Sequence, residues 1–235
     1  MAGRIAYYGN IVRDGLVLNL DAAKRDSYPG SGTIWRDITN GVITGSLVNG
    51  PTFDPNNFGS IVFDGVNDYV SCGNVLFNSS SATTIDIWVN FPSMVVGKYI
   101  ASKGSAADGI YTFTMFTGLG PSGTGNSYVR FSMGNQAGTT STQIEHSSLI
   151  WNQWYNFTYT YDGSFVRGYR NADTPISRSL SGPLHTTTTP IYLGIEKYFL
   201  HPAAANISSF KIYNRTLSPQ EITQNYNAQK GRYGL

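Results

Sequence analysis

The chain has 235 residues, of which 13% are charged and 14% aromatic, with 26 glycines. That composition belongs to one ordered, turn-rich domain and excludes a disordered tail or a coiled coil. A formal charge of +2, carried without any Lys/Arg block, removes the electrostatic footprint of a nucleic-acid binder or an anionic-membrane binder.

From the N-terminus, MAGRIAYYGN precedes the first strand signal and reads as an extended arm, with residues 1–14 set apart from a domain over 15–235. It lacks the apolar stretch of a signal peptide, and the nearby run LVLNL is too short to cross a bilayer, so the sequence predicts a soluble product. Strand-like runs follow at Leu16–Leu20, Ser60–Phe63 and Tyr69–Cys72. In TTIDIWVNF, Ile85, Ile87, Val89 and Phe91 share one face, and Asp86, Trp88 and Asn90 the other, the period of a half-buried strand. Further runs lie at Tyr111–Phe116 and Tyr128–Met133, and NFTYTYDGSFVRGYRNAD predicts a hairpin turning at Asp162-Gly163. Ile191–Leu193 and Ile207–Tyr213 complete about a dozen short strands, which predict an all-β, two-sheet antiparallel jelly-roll sandwich. One short C-terminal helix is expected in SPQEITQNYNAQKG. Ser218 caps it, Pro219 opens it, Glu221 closes a capping box, Gly231 stops it, and Ile222 and Tyr226 face the sheets. Cys72 is the single cysteine, so the core stands without internal disulfides.

Catalysis has little to work with. Glycoside hydrolysis needs two carboxylates facing one bond, whereas the glutamates are only Glu145, Glu196 and Glu221, no acidic pair sits at alternate positions of one strand, and Glu221 belongs to the capping box. Asp86 has no acidic partner on its strand face and reads as a surface or hydrogen-bonded strand residue. His146, His185 and His201 are scattered, and GLGPSG at 118–123 matches a phosphate loop in letters only, since strands flank it on both sides. Trp88, Trp151 and Trp154 sit in or beside strand patterns and are expected to pack. KYFLHPAAAN is different: Tyr198, Phe199 and His201 interrupt the strand pattern among polar neighbours and form the candidate contact with a glycan or a partner.

FDGVNDYV, at 63–70, admits two readings. Calcium takes six to eight oxygens, and this stretch supplies two carboxylates, one amide and some carbonyls. The favoured reading is a hairpin turn in which Asp64 and Asp68 bond backbone amides of their own turn. Structural calcium is the disfavoured alternative, with Asp21 as a further contributor, and no metal site is assigned.

Taken in order, GLVLNLDAAKRDSYPGSGTIWRDITN, SIVFDGVNDYVSCGN, TIDIWVNF, WNQWYNFTYTYDGSFVRGYRNAD and IYLGIEKYFLHPAAANISSFKIYNRTLSPQEI resemble the consecutive strands of laminin-G-like, concanavalin A-like jelly-roll domains. The resemblance runs from Gly15 to about Gly231, and it places Asp64 and Asp68 on the acidic positions of that family's FDG-x-x-D motif. More narrowly, GLVLNLDA…YPGSGTIWRD with NGPTFDP is similar to the versions found in structural proteins of tailed bacteriophages. What this implies is a non-enzymatic virion protein, assembled in the host cytoplasm, acting as a capsid decoration or other surface-exposed accessory protein. Its partners would be capsid or tail proteins and further copies of itself. Ile5, Tyr7 and Tyr8 of the arm would attach it to the particle. The alternative is a lectin-like adhesin binding host-surface glycans through Tyr198, Phe199 and His201.

Overall fold

The computed structural model describes residues 10–39, 43–75, 82–93, 96–105, 110–119, 127–135 and 141–235. Ile5, Tyr7 and Tyr8 lie outside them. Sixteen strands in two antiparallel sheets make up the described body. The first sheet contains β1 (Leu16–Asp21), β4 (Thr52–Asp54), β5 (Ser60–Asp64), β7 (Thr83–Asn90), β12 (Trp154–Tyr161), β13 (Phe165–Arg170), β14 (Ile176–Ser179) and β16 (Ala204–Tyr213). Its order is β14-β13-β12-β7-β16-β5-β4, with β1 pairing the far end of β16. The second sheet contains β2 (Ile34–Arg36), β3 (Thr44–Val48), β6 (Tyr69–Ser71), β8 (Lys98–Ser105), β9 (Ile110–Leu119), β10 (Ser127–Gly134), β11 (Ser141–Ser147) and β15 (Ile191–Leu193). Its order is β11-β10-β9-β8-β15-β6-β3-β2. The expected all-β two-sheet jelly roll with one short C-terminal helix is what forms.

Alternation fills the space between the sheets. Ile85, Ile87 and Val89 of β7 and Phe157, Tyr159 and Tyr161 of β12 meet Val129, Phe131 and Met133 of β10, all inside one buried cluster. Phe131 stacks on Tyr159 with ring centroids 3.9 Å apart. Each such side chain contributes about 1.5–3 kcal/mol on burial, which suits a fold without disulfide staples; Cys72 is itself fully buried.

The other face of the first sheet is not in water. All eight residues of both β7 and β12 are buried, because α1 (Pro219–Gln229) and the 3₁₀ turn after it lie across that face. Trp88 is stacked between Tyr226 (5.6 Å) and Tyr233 (4.2 Å). The Lys211 ammonium pairs with Asp86 at 2.8 Å and donates to Gln229 Oε1 at 2.7 Å. Asp86 also accepts from Thr158 Oγ1 and Asn156 Nδ2. It is therefore a buried, hydrogen-bonded strand residue, and the surface reading is corrected: the helix takes the place that solvent would have had. Trp35 and Trp88 are likewise fully enclosed.

The helix begins as the sequence predicts. Ser218 Oγ accepts from the Glu221 amide, the Glu221 carboxylate accepts from the Ser218 amide, and Pro219 stands in the first turn. Its end differs. The chain runs past Gly231 through the 3₁₀ turn Lys230–Tyr233, and the left-handed residue is Gly234 at φ 72°, because Arg232 and Tyr233 carry the bidentate Asp21 pair and the stack on Trp88. Residues 10–14 pack on the same helix. The Val12 amide donates to Asn225 Oδ1, Tyr213 Oη donates to the Val12 carbonyl, and Gln224 donates to the Asn10 carbonyl.

Candidate functional site

FDGVNDYV bends as foreseen in its hydrogen bonds but not in its partners. β5 pairs with β4 and β16, whereas β6 pairs with β3 and β15, so the turn is a corner from one sheet to the other and not a hairpin. Asp64 Oδ1 accepts from the Val66 amide at 2.8 Å, and Asp68 Oδ2 accepts from the Asp64 amide at 3.1 Å. Burial pushes the Asp68 carboxyl above its usual range; the Asp64 amide bond opposes this, and the Asp64 charge adds to it. Asp21 is committed to Arg232 in a two-pronged pair at 2.8 and 3.0 Å. Calcium draws its six to eight oxygens from carboxylates, amide and backbone carbonyls and water. Among the described residues, no three His, Cys, Asp or Glu side chains gather where they could hold a metal ion.

Beside this corner the chain returns from β15 to β16 through KYFLHPA, with Leu193 opposite Val70 and Ala204 opposite Asp64. The two corners are thus neighbours at one end of the sandwich. Gly194 lets them meet: its φ is +85°, and a Cβ there would lie 2.5 Å from the Phe63 ring. The buried Glu196 carboxylate then organises the loop, accepting from the Tyr198 amide at 2.9 Å and the Leu200 amide at 3.1 Å. Phe199 and His201 both take left-handed backbone, φ 59° and 58°, a conformation that bulky residues hold only when the surroundings dictate it.

The effect is to aim aromatic rings outward. Phe199 is 50% and Tyr198 43% exposed. Phe199 contacts Tyr69 (5.2 Å) and Tyr192 (5.5 Å), which contact each other at 5.9 Å. His201 lies 6.4 Å from Tyr99, which meets Phe116 edge-on at 5.2 Å. Tyr198 carries the Lys197 ammonium over its ring at 5.1 Å. A ridge of rings therefore crosses the outer face of the second sheet at the two corners. Loop aromatics were visible as candidates in the sequence; Tyr69, Tyr99, Phe116 and Tyr192 were not. Their signal is present in YVS, KYIAS and IYL, where the position facing away from the core carries a ring instead of a polar group.

The remaining candidates have structural partners. Glu145 pairs with Arg130 at the surface, Glu196 holds the loop, and Glu221 closes the capping box and binds Arg215. His146 is buried against Phe157 and Tyr159.

Two antiparallel sheets, corner connections and a capping C-terminal helix define a concanavalin A-like jelly roll. The family profile described as the concanavalin A-like lectin/glucanases superfamily matches residues 64–223, and the chain belongs to that family. The structure is similar to the binding domain of Paraclostridial Mosquitocidal Protein 1 (TM-score 0.71, 18% identity, 92% of this chain and 52% of that one). It is also similar to the botulinum neurotoxin serotype D binding domain (TM-score 0.71, 13% identity, 93% and 53%). A third likeness is the botulinum neurotoxin type G receptor binding domain (TM-score 0.67, 15% identity, 92% and 52%). This chain spans about half the length of those domains, and at such identities the likeness is one of fold. No curated protein matches the sequence.

Proposed function

We propose that this chain is a non-enzymatic accessory protein on the surface of a tailed-phage virion and that it binds host-surface carbohydrate through the ridge of Tyr69, Tyr192, Tyr198, Phe199 and His201. The observation that carries the binding role is the ridge itself. Exposed rings are held by left-handed backbone and a buried carboxylate, an arrangement that spends stability to present apolar faces to solvent. Sugar rings stack on such faces while neighbouring hydroxyls and amides close the contact. The non-enzymatic reading is supported by the three glutamates, each occupied by a structural partner. The virion setting is supported by the resemblance of GLVLNLDA…YPGSGTIWRD and NGPTFDP to phage structural proteins.

A glycan array of the purified protein, run in calcium and again in chelator, tests the binding role. Selective binding that is equal in both conditions and lost in Tyr198→Ala is the expected result. Attachment is assigned to Ile5, Tyr7 and Tyr8, ahead of the anchored Val12. Deleting residues 1–9 should abolish incorporation into particles while leaving the isolated domain folded, and normal incorporation would remove that assignment.

A further inference from the structure

On the helix-covered side of the first sheet, β1, the end of α1 and the loop after β2 enclose a cleft of about 440 Å³, lined in part by Arg13, Asn19, Lys24, Ile38 and Gln229. That size suits a small-molecule site, about 300–1,000 Å³. Alternation along β1 sends Leu18 and Leu20 into the core cluster and leaves Asn19 and Asp21 on the opposite face. Asp21 is used there, in its two-pronged pair with Arg232. Asn19 is used only through its backbone: its amide donates to Asp37 Oδ1 and its carbonyl accepts from the Ile38 amide. Its side-chain Oδ1 has no hydrogen-bond partner among the described residues, although the residue is only 6% exposed. Gln229 repeats the pattern from the helix side. Its Oε1 accepts from the Lys211 ammonium at 2.7 Å, which fixes the amide and leaves Nε2 as the spare end. That nitrogen also lacks a partner among the described residues, in a residue 2% exposed. Buried polar groups left unpaired are few in native proteins, and each calls for a partner. An acceptor and a donor on the walls of one cleft call for a ligand that both gives and takes hydrogen bonds.

The charges narrow the ligand. Three cations and one anion line the cleft, Arg13, Lys24, Arg232 and Asp21, for a net charge of +2. Arg232 is matched by Asp21, whereas Arg13 and Lys24 are exposed and have no ion-pair partner among the described residues. Leu16 and Ile38 add apolar wall. We infer that the cleft binds a carboxylated sugar, one hexuronate unit. Its carboxylate lies between Arg13 and Lys24, one hydroxyl donates to Asn19 Oδ1, a second accepts from Gln229 Nε2, and the C–H face of the ring rests on Leu16 and Ile38. A neutral sugar leaves the two cations unanswered. A bare anion such as sulfate only accepts hydrogen bonds and has no apolar face, so it leaves Asn19 Oδ1 and the wall unanswered. The cleft is separate from the aromatic ridge, which stands on the other sheet, and does not rest on that reading.

Calorimetric titration of the full chain with galacturonate, glucose and sulfate tests this. Galacturonate should bind saturably, and glucose and sulfate at least about 10-fold more weakly. Asn19→Leu should lower galacturonate affinity at least about 10-fold and melt no lower than the wild type, since the side-chain oxygen it removes has no partner to lose. Lys24→Glu sits on the exposed rim, where it leaves the fold untouched, and should show a loss of at least the same size, about 10-fold. Tyr198→Ala should bind galacturonate as the wild type does, which keeps this cleft distinct from the ridge. Absence of saturation with galacturonate, equal binding of glucose or sulfate, or unchanged affinity in Lys24→Glu would overturn the proposal. A loss in Tyr198→Ala would move the site to the ridge and overturn it equally.

Discussion

Lys211 and Asp86 face each other across β16 and β7, 2.8 Å apart, with 0% and 1% of their side chains exposed. The pair sits under the C-terminal helix, where Gln229, Ser209, Thr158 and Asn156 complete its hydrogen bonds. Removing one member leaves the other charged and buried without its counter-charge. Asp86→Ala should therefore cost about 3–5 kcal/mol in urea unfolding. A cost below about 1 kcal/mol would show that the helix opens readily and lets water reach Lys211.

His146 sets an acid limit. Burial, with the Arg170 charge adding to it, drives its imidazole down to about 4, and its Nε2 finds no hydrogen-bond partner among the described residues. The unfolded chain takes up a proton near 6.5 that the folded chain refuses until about 4. Stability is thus full above pH 6.5 and falls as the pH drops toward 4, by up to about 2–3 kcal/mol. His146→Gln should flatten the unfolding free energy between pH 6.5 and 4. Glu221, held at about 2 by Arg215, loses its contribution only below pH 4.5, so the two windows are separable by pH.

The Cys72 thiol is fully buried and pushed up to about 12 by desolvation. Native protein should leave a disulfide-exchange reagent unreacted at pH 8, and urea should release one thiol per chain.

Glu196 separates scaffold from ligand contact. Glu196→Ala orphans the amides of Tyr198 and Leu200, and should lower stability by about 1–3 kcal/mol. Although the side chain is itself buried, the variant should bind glycan about 10-fold more weakly, because the ring carriers of the loop lose their fixed backbone. Unchanged affinity would mean that the loop holds its shape without the carboxylate.

Much of the fold is legible in the residues because each local signal agrees with the packing. Asp162-Gly163 turns a hairpin, with Asp162 Oδ1 accepting from the Ser164 and Phe165 amides, and Ser218 to Glu221 cap a helix. What stays hidden is which sheet a strand joins. SIVFD and YVS look like two arms of one hairpin, yet their pairing is fixed by β16 and β15, more than a hundred residues away. The same long-range closure hides Asp86: nothing in IDIWVNF states that a helix from the far end of the chain will cover its polar face. Loop aromatics announce themselves by breaking a pattern, whereas Tyr69, Tyr99 and Tyr192 obey the strand period and become a site only when the sheet aligns them.

The most direct test of the central claim is a solution titration of the strongest array glycan against the wild type, Tyr69→Ser and Phe199→Ser. Saturable binding by the wild type, with at least about a 10-fold loss in each ridge variant, is the predicted result. Equal affinity across all three proteins would place the ligand elsewhere on the sandwich and contradict the account.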